Sequence, residues 1–203
     1  MLSERDTDLS YKKGMYMAIK KQWYEIVAPK LFGERVVGET LSVDPKFLIG
    51  RKIAVSLMEL SRNYSKFYIK LDLQIERVEG NRAYTKFVGH DIMRERVYRM
   101  VQRYGRRVDV IQDITTKDGV KPRIKTVFML ARRVGTSMKN AARVAAKDLI
   151  EKTAKETKFE DLMEMIIKDE LQSRLSAECS KVYPVSGIEV RKTELAQEKK
   201  VAA

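Results

Sequence analysis

The segment FYIKLDLQI, residues Phe67–Ile75, decides the fold class. Every second side chain along it is apolar, and the side chains between are tyrosine, lysine, aspartate and glutamine. This alternation predicts a β-strand with one buried side and one solvent-facing side. The turn signal Glu79-Gly80-Asn81 follows, and residues 82–88 return as the antiparallel partner. A half-buried, mostly antiparallel sheet is therefore predicted at the centre of the chain.

Further strands and a helix are predicted on either side of this pair. The additional strands cover residues 36–43, 53–57, 108–114, 120–130 and 185–192. Asp118-Gly119 predicts a hairpin turn between two of them. A helix with Asp91 as its N-cap is predicted to run to Gly105, because apolar residues as far as Tyr104 recur at helical spacing.

Two consecutive helices are predicted near the C-terminal end, within residues 136–180. Thr136 or Ser137 can cap the first helix, and Thr157 with Glu160 forms a capping box for the second. The chain is thus predicted to be an α+β protein in which helices flank a curved, mostly antiparallel sheet.

The domain organisation follows from the length and from these elements. The 203 residues correspond to between one and two domains of about 150 residues each. We expect a single α+β domain over residues 21–193, strand-rich over 36–130 and helical over 136–180. Residues 1–20 are expected to form an N-terminal arm, and residues 194–203 a C-terminal tail.

The charge balance indicates an anionic partner. Lysine and arginine number 41 against 28 acidic residues, which gives a net charge of +13 and a pI near 9.7. Nucleic acid, an anionic membrane and an acidic protein all fit this excess.

The longest apolar runs are about five residues, against the ~20 that a membrane span needs, so no membrane role is expected. The single cysteine, Cys179, excludes an intrachain disulfide and a cysteine-based zinc site. Because no signal peptide is apparent either, we expect a cytoplasmic protein.

The stretch from Lys121 to Lys147 holds eight basic residues and no acidic one. Within this stretch a predicted strand is followed by Arg132-Arg133 and then by a predicted helix. On that helix Lys139, Arg143 and Lys147 are spaced at i, i+4 and i+8, so they share one face. We interpret the whole stretch as unopposed positive charge that is held against a polyphosphate, and RNA is favoured because an A-form helix is recognised by its shape and backbone.

Other basic residues extend this candidate interface, with two alternatives left open. Trp23, beside Lys20 and Lys21, either packs with Tyr24 into the core or stacks on a base. Four arginines on the predicted helix after Asp91 are either solvated or form a second phosphate contact; they are Arg94, Arg96, Arg99 and Arg103. The candidate RNA-binding residues are Lys20, Lys21, Arg106, Arg107, Lys121, Arg123, Arg132, Arg133, Thr136, Ser137, Lys139, Arg143 and Lys147.

Catalytic signals are weak in this sequence. His90 is the only histidine and is interpreted as a junction residue between a strand and a helix. No nucleophile elbow, phosphate-binding loop or dinucleotide fingerprint occurs, so we expect no catalytic residues, no metal and no cofactor. A free-standing RNA-processing or RNA-modifying enzyme with a carboxylate and Mg²⁺ site stays open as an alternative. A DNA-binding regulator also stays open, because charge alone does not separate DNA from RNA.

Several dispersed segments resemble one protein family in their order and spacing. They are Lys20-Lys21-Gln22-Trp23-Tyr24 with Ala28-Pro29, Val37-Gly38 with Thr40, Gly50-Arg51 before Val55-Ser56-Leu57, Phe87 with Gly89 and Asp91, Thr115-Thr116-Lys117-Asp118-Gly119, and Tyr183-Pro184 with Val190-Arg191-Lys192. The chain resembles the S-three-A-e (e-S-one) family of archaeal and eukaryotic small-subunit ribosomal proteins. Because it lacks the long basic N-terminal extension and longer C-terminal region of the eukaryotic form, it is similar to the archaeal form.

The resemblance implies a β-barrel-like core with flanking helices, and a structural role without catalysis. It implies binding to small-subunit ribosomal RNA on the platform near the mRNA exit, with neighbouring ribosomal proteins and mRNA as further partners. Four of the candidate residues fall where the family has a basic loop; they are Arg132, Arg133, Thr136 and Ser137.

Overall fold

The structure, a computed structural model, describes residues 21–61 and 64–195. Within them, eight strands form a mixed, open sheet and five α-helices accompany it, which confirms the α+β class. The strands are β1 (Gln22–Val27), β2 (Val36–Ser42), β3 (Lys52–Ser56), β4 (Ile69–Glu79), β5 (Arg82–Ile92), β6 (Arg106–Asp113), β7 (Pro122–Leu130) and β8 (Val185–Leu195). The helices are α1 (Leu57–Ser61), α2 (Arg94–Met100), α3 (Thr136–Glu156), α4 (Phe159–Ile167) and α5 (Glu170–Val182).

The chain divides into two compact units. The first contains the residues up to 53 and residues 74–86, and the second contains residues 54–73 and those from 87 onward. The long strands β4 and β5 each contribute residues to both units. The expected N-terminal arm and C-terminal tail, except residues 194 and 195, lie outside the described residues.

In the first unit, β1 pairs antiparallel with β2 and parallel with the start of β5. This parallel pairing makes the sheet mixed, and it is possible because a long stretch of chain separates the two strands. Tyr24 is buried in a cluster with Leu48 and Ile75, whereas Trp23 is 62% exposed. The expectation that Trp23 and Tyr24 both pack into the core is wrong for Trp23, because successive side chains of a strand point to opposite faces.

In the second unit, the strands follow the order β5-β8-β7-β6, and all these pairings are antiparallel. Helix α3 packs against α5 and against β6. Its buried side is made of small and branched residues, including Ala142, Ala146 and Ile150, which lets the neighbouring elements approach closely. Cys179 of α5 is fully buried there, and burial raises the pKa of its thiol to about 11.

The predicted helix from Asp91 to Gly105 is wrong at both ends. Residues 89–91 pair with β8, so His90 and Asp91 belong to β5, and the helix begins only at Arg94. Helix α2 then ends at Met100, well before Gly105. Tertiary pairing with a strand about a hundred residues away outweighs the local capping signal, and nothing near Asp91 in sequence reveals it.

The helical region contains three helices where two were predicted. The break between α4 and α5 lies at Asp169, which has a left-handed backbone with φ of 67°. The predicted capping box is also wrong, because Thr157 bonds back to the carbonyl of Thr153. Instead, the backbone N–H of Phe159 donates to the Asp118 carboxylate at 3.3 Å, so the turn between β6 and β7 caps helix α4.

Candidate nucleic-acid interface

The pairing of β6 with β7 decides where the predicted basic residues lie. The register runs from Arg106 opposite Leu130 to Asp113 opposite Arg123. Arg106 and Arg107 therefore lie at the end of the hairpin where β7 leads into Arg132-Arg133. Lys121 and Arg123 lie at the other end, about 27 Å away along the nine residues of β7. The stretch from Lys121 to Lys147 is thus not one continuous surface.

Several of these cations are opposed by acids from neighbouring strands, so the interpretation of wholly unopposed charge is wrong for them. Arg123 donates two bonds to the Asp113 carboxylate, at 2.6 and 2.8 Å, and this pairing lowers the pKa of Asp113. Lys125 lies 3.1 Å from a Glu194 carboxylate oxygen. Their partners stand on β6 and β8, which the linear sequence separates from the basic stretch.

Arg107 is also paired within its own strand. Its guanidinium contacts both carboxylate oxygens of Asp109, the nearest at 2.7 Å. Residues i and i+2 of a strand share one face, which makes this contact possible. Arg107 is therefore a weaker candidate for a phosphate than its neighbour Arg106.

Five cations near this end of the hairpin have no acidic partner among the residues that the structure describes. We call this group the basic end; it consists of Arg103, Arg106, Arg132, Arg133 and Lys139. Lys139 is half-buried, and the other four are exposed. They come from the turn before β6, the start of β6, the loop after β7 and the first turn of α3. The fold therefore brings together cations from two stretches about thirty residues apart.

The N-terminus of α3 adds to the positive potential of the basic end. Its N-cap is Gly135, with no side-chain capping bond and no acidic residue in the first turn. Thr136 and Ser137 are exposed at this point and do not cap the helix as predicted, because they are already inside its first turn. Free backbone N–H groups and the helix dipole at such an end favour an anion.

The predicted basic face of α3 is only partly available to a ligand. Arg143 is half-buried and donates to the backbone oxygen of Asp109 at 3.3 Å and to Asn140 at 2.6 Å. It holds the helix to β6, the last strand of the sheet within the described chain. Lys147 is exposed, with no acidic partner in residues 21–61 and 64–195. Of the three residues on this face, Arg143 is thus engaged in holding the helix to the sheet, while Lys139 and Lys147 remain available to a ligand.

The turn before β6 contains a residue that the sequence reasoning missed. The Gly105 N–H donates to the Gln102 carbonyl at 3.1 Å, and Tyr104 between them has a φ of 69°. The Tyr104 ring is 60% exposed, with the Arg103 guanidinium carbon 5.2 Å and that of Arg133 5.8 Å from its centroid. Helical spacing predicts Tyr104 on the apolar face of a helix, whereas Gly105 and the arginines after it are typical of a turn.

The arginines of α2 have different roles from one another. Arg96 donates to the buried carboxylate of Glu189 at 3.0 and 2.9 Å, and its guanidinium lies 4.8 Å from the centre of the Tyr68 ring. Burial raises the pKa of Glu189, and Arg96 opposes that rise. Arg96 is therefore tied to a buried carboxylate although its own side chain is 45% exposed. Arg94 and Arg99 are exposed as well, without an acidic partner among the described residues.

The remaining predicted residues belong to the first unit. Lys21 is exposed, as is Trp23, which lies opposite Leu41 in the pairing of β1 with β2. Lys20 lies outside the described residues. The exposure of Trp23 is thus compatible with the second interpretation, in which its ring stacks on a base.

The one histidine of the chain is buried, and the described residues contain no cluster suited to a metal ion. His90 is 1% exposed, its Nε2 lies 2.9 Å from the Val190 oxygen, and burial lowers its pKa. Between residues 21 and 195, apart from 62 and 63, no three His, Cys, Asp or Glu side chains form a group able to hold a metal ion. No helix in that part of the chain is long and apolar enough to cross a membrane.

Comparison with known proteins identifies the family. The family described as the Ribosomal S3Ae family matches residues 12–199. The small ribosomal subunit protein eS1 of Methanothermobacter thermautotrophicus is 35% identical over 88% of this chain and 92% of its own length. The eS1 proteins of Sulfurisphaera tokodaii and Aeropyrum pernix are 35% and 33% identical over 86% of this chain, covering 91% and 84% of their own lengths. The chain belongs to the ribosomal S3Ae family.

Proposed function

We propose that this chain is a structural component of the small ribosomal subunit that binds ribosomal RNA through the basic end. The observation that carries the proposal is the convergence of five cations, without acidic partners in the described chain, on the hairpin end where α3 begins. Family membership supports the choice of ribosomal RNA as the polyanion. The role is one of architecture and not of catalysis, in the cytoplasm where ribosomes work.

The chemistry of the basic end suits an RNA backbone. Arginine presents a planar fork that binds phosphate oxygens in pairs, and Arg106, Arg132 and Arg133 supply three such groups. Lys139 and the free N–H groups of α3 add a second, adjacent point of positive potential. A folded RNA presents phosphates on a surface of defined shape, so recognition by position of charge needs no base-edge contacts.

We expect that replacing the basic end weakens RNA binding and flattens its salt dependence. The variant carries Arg106→Gln, Arg132→Gln, Arg133→Gln and Lys139→Gln; Arg143 is kept because it holds α3 to β6. Each lost phosphate contact lowers the magnitude of the slope of log K against log salt by about 0.7 to 0.9, so four lower it by up to about 3.6. The affinity is expected to fall roughly tenfold or more. The measurement is a salt titration of binding to archaeal small-subunit ribosomal RNA.

A matched control removes the same number of charges from cations that have acidic partners. It carries Arg82→Gln, Arg123→Gln, Lys155→Gln and Lys168→Gln, whose partners lie at 2.6 to 3.4 Å. Its slope should stay near that of the wild type. If both variants lost the same slope, only net charge would matter, and the assignment of the basic end would be wrong.

We further propose that the chain sits on the platform near the mRNA exit, beside neighbouring proteins and mRNA. A tethered cleavage reagent tests this. Because Cys179 is buried and the pKa of its thiol is raised to about 11, a cysteine introduced at the exposed Ala131 is the reactive one for Fe(II)-EDTA attachment. In reconstituted small subunits, we expect backbone cleavage of the platform RNA; cleavage confined to other regions would contradict the placement.

A further inference from the structure

The ring of Tyr104 lies on the surface in a conformation that aromatic residues rarely adopt. Its φ of 69° falls in the left-handed region, where glycine and asparagine are the usual residues. The side chain is 60% exposed, so burial in a core does not account for an aromatic ring at this turn. The turn thus carries a large, accessible π-surface in a place where small residues are favoured.

Two arginines lie over this ring, which nevertheless stays 60% exposed. The guanidinium carbons of Arg103 and Arg133 lie 5.2 and 5.8 Å from the ring centroid. Both distances are within the ~6 Å range of a cation–π contact. The exposed part of the ring leaves room for a further stacking partner. Neither arginine has an acidic partner within the described part of the chain, so the N–H groups of both can bind an anion next to the ring.

We propose that Tyr104 is a stacking surface for one unpaired base of the RNA, with Arg103 and Arg133 binding the phosphates on either side of that nucleotide. The inference rests on the proposed function and specifies which part of the RNA meets the basic end. A paired region keeps its bases stacked inside the helix and offers mainly phosphates and sugars. A loop, bulge or single strand offers a base with a free face, and an aromatic ring between two arginines fits that chemistry.

The test compares two substitutions at this position, Tyr104→Asn and Tyr104→Trp. Asparagine tolerates the left-handed backbone, so the turn is kept while the ring is removed. The probes are an RNA single strand of about twelve nucleotides and a duplex of the same length, near the footprint of single-strand binding domains. Loss of one base–aromatic stack corresponds to roughly 5- to 150-fold weaker binding of the single strand.

We expect Tyr104→Asn to show that loss on the single strand, with duplex binding and the salt slope unchanged, because no phosphate contact is removed. Tyr104→Trp should retain the wild-type affinity, since indole also stacks on bases. An Asn variant that binds the single strand as tightly as the wild type would overturn the inference. So would an equal loss on single strand and duplex.

A second measurement needs no variant. A single strand containing 5-iodouridine cross-links under ultraviolet light to an aromatic ring that stacks on the base, and mass spectrometry locates the attachment. Attachment at Tyr104 supports the inference, and attachment only at another aromatic residue, such as the exposed Tyr98, contradicts it. If the fourfold basic-end variant loses binding while Tyr104→Asn does not, only this inference fails. If the fourfold variant binds normally, the proposed function itself fails.

Discussion

Gly89→Ala is expected to disrupt the pairing of β5 with β8, and so to destabilise the second unit. A Cβ atom added at Gly89 would lie 2.0 Å from the backbone oxygen of Thr193 and 3.1 Å from its carbonyl carbon. Both atoms belong to the backbone of β8, which is also paired to β7 along its other edge, so β8 cannot move aside without disturbing that pairing. The clash therefore cannot be relieved by rotating a side chain.

The expected cost is about 3 kcal/mol, the upper end of what overpacking of a core usually costs. Because natural domains have only about 5–15 kcal/mol of stability, such a loss also lowers the soluble yield. Urea unfolding followed by circular dichroism measures it. Gly38→Ala is the control: Gly38 also lies in a strand, β2, and an added Cβ there meets nothing within 4 Å. Equal stabilities of the two variants would contradict the steric argument.

Arg96→Met is expected to destabilise the second unit by leaving the Glu189 carboxylate buried without its partner. The Glu189 side chain is 7% exposed, and that of Arg96 is 45% exposed. Removing one member of a buried pair costs about 3–5 kcal/mol, and the partial exposure of Arg96 places the expected loss near about 3 kcal/mol. For a unit of this size that is a fall in Tm of about 6–12 °C, measurable by calorimetry.

The loss should depend on pH in a direction that the burial of Glu189 fixes. Burial raises the pKa of Glu189 in the folded protein, and loss of the hydrogen bonds from Arg96 raises it further. The folded variant then binds more protons than the unfolded chain between the ordinary glutamate pKa of about 4.3 and the raised value, so its stability falls as pH rises through that window. The difference between variant and wild type should therefore be smallest near the ordinary glutamate pKa of about 4.3 and should grow as the pH rises above it.

Two further variants identify the cause of this loss. Adding Glu189→Gln to Arg96→Met removes the buried charge and should recover much of the stability at neutral pH. Arg94→Met removes an exposed cation from the same helix and should change little. A pH-independent loss in Arg96→Met would indicate that packing on Tyr68, and not the carboxylate, accounts for the effect.

The central hairpin could be predicted from the sequence because its signal is local. Alternation over Phe67–Ile75 and the turn at Gly80 predict β4 and β5, with ends within a few residues of those observed. The helix after Asp91 was misplaced because the pairing of residues 89–91 with β8 is set by chain far away. A local sequence pattern does not indicate which distant strand will pair with it.

The candidate interface was predictable to a similar degree. The basic loop and helix are visible as a run of charges, and their binding of RNA stays a prediction. Which cations are already neutralised was not predictable, because Asp113 and Glu194 reach Arg123 and Lys125 across strand pairs. Tyr104 was missed because helical spacing of apolar residues continued through a turn. The sequence thus indicates how much positive charge the chain has, whereas the strand register decides which cations have no acidic partner.

The edge strand β6 bears on how copies of this chain can associate with one another. It is the last strand of the described sheet, and an unpaired strand edge invites another chain to add to it. The guanidinium of Arg143 donates to the Asp109 carbonyl on this strand, and the charged side chains of Asp109 and Asp113 flank the exposed Ile111 on the same face. Charged side chains on an edge strand are a general obstacle to edge-to-edge pairing between copies of one chain.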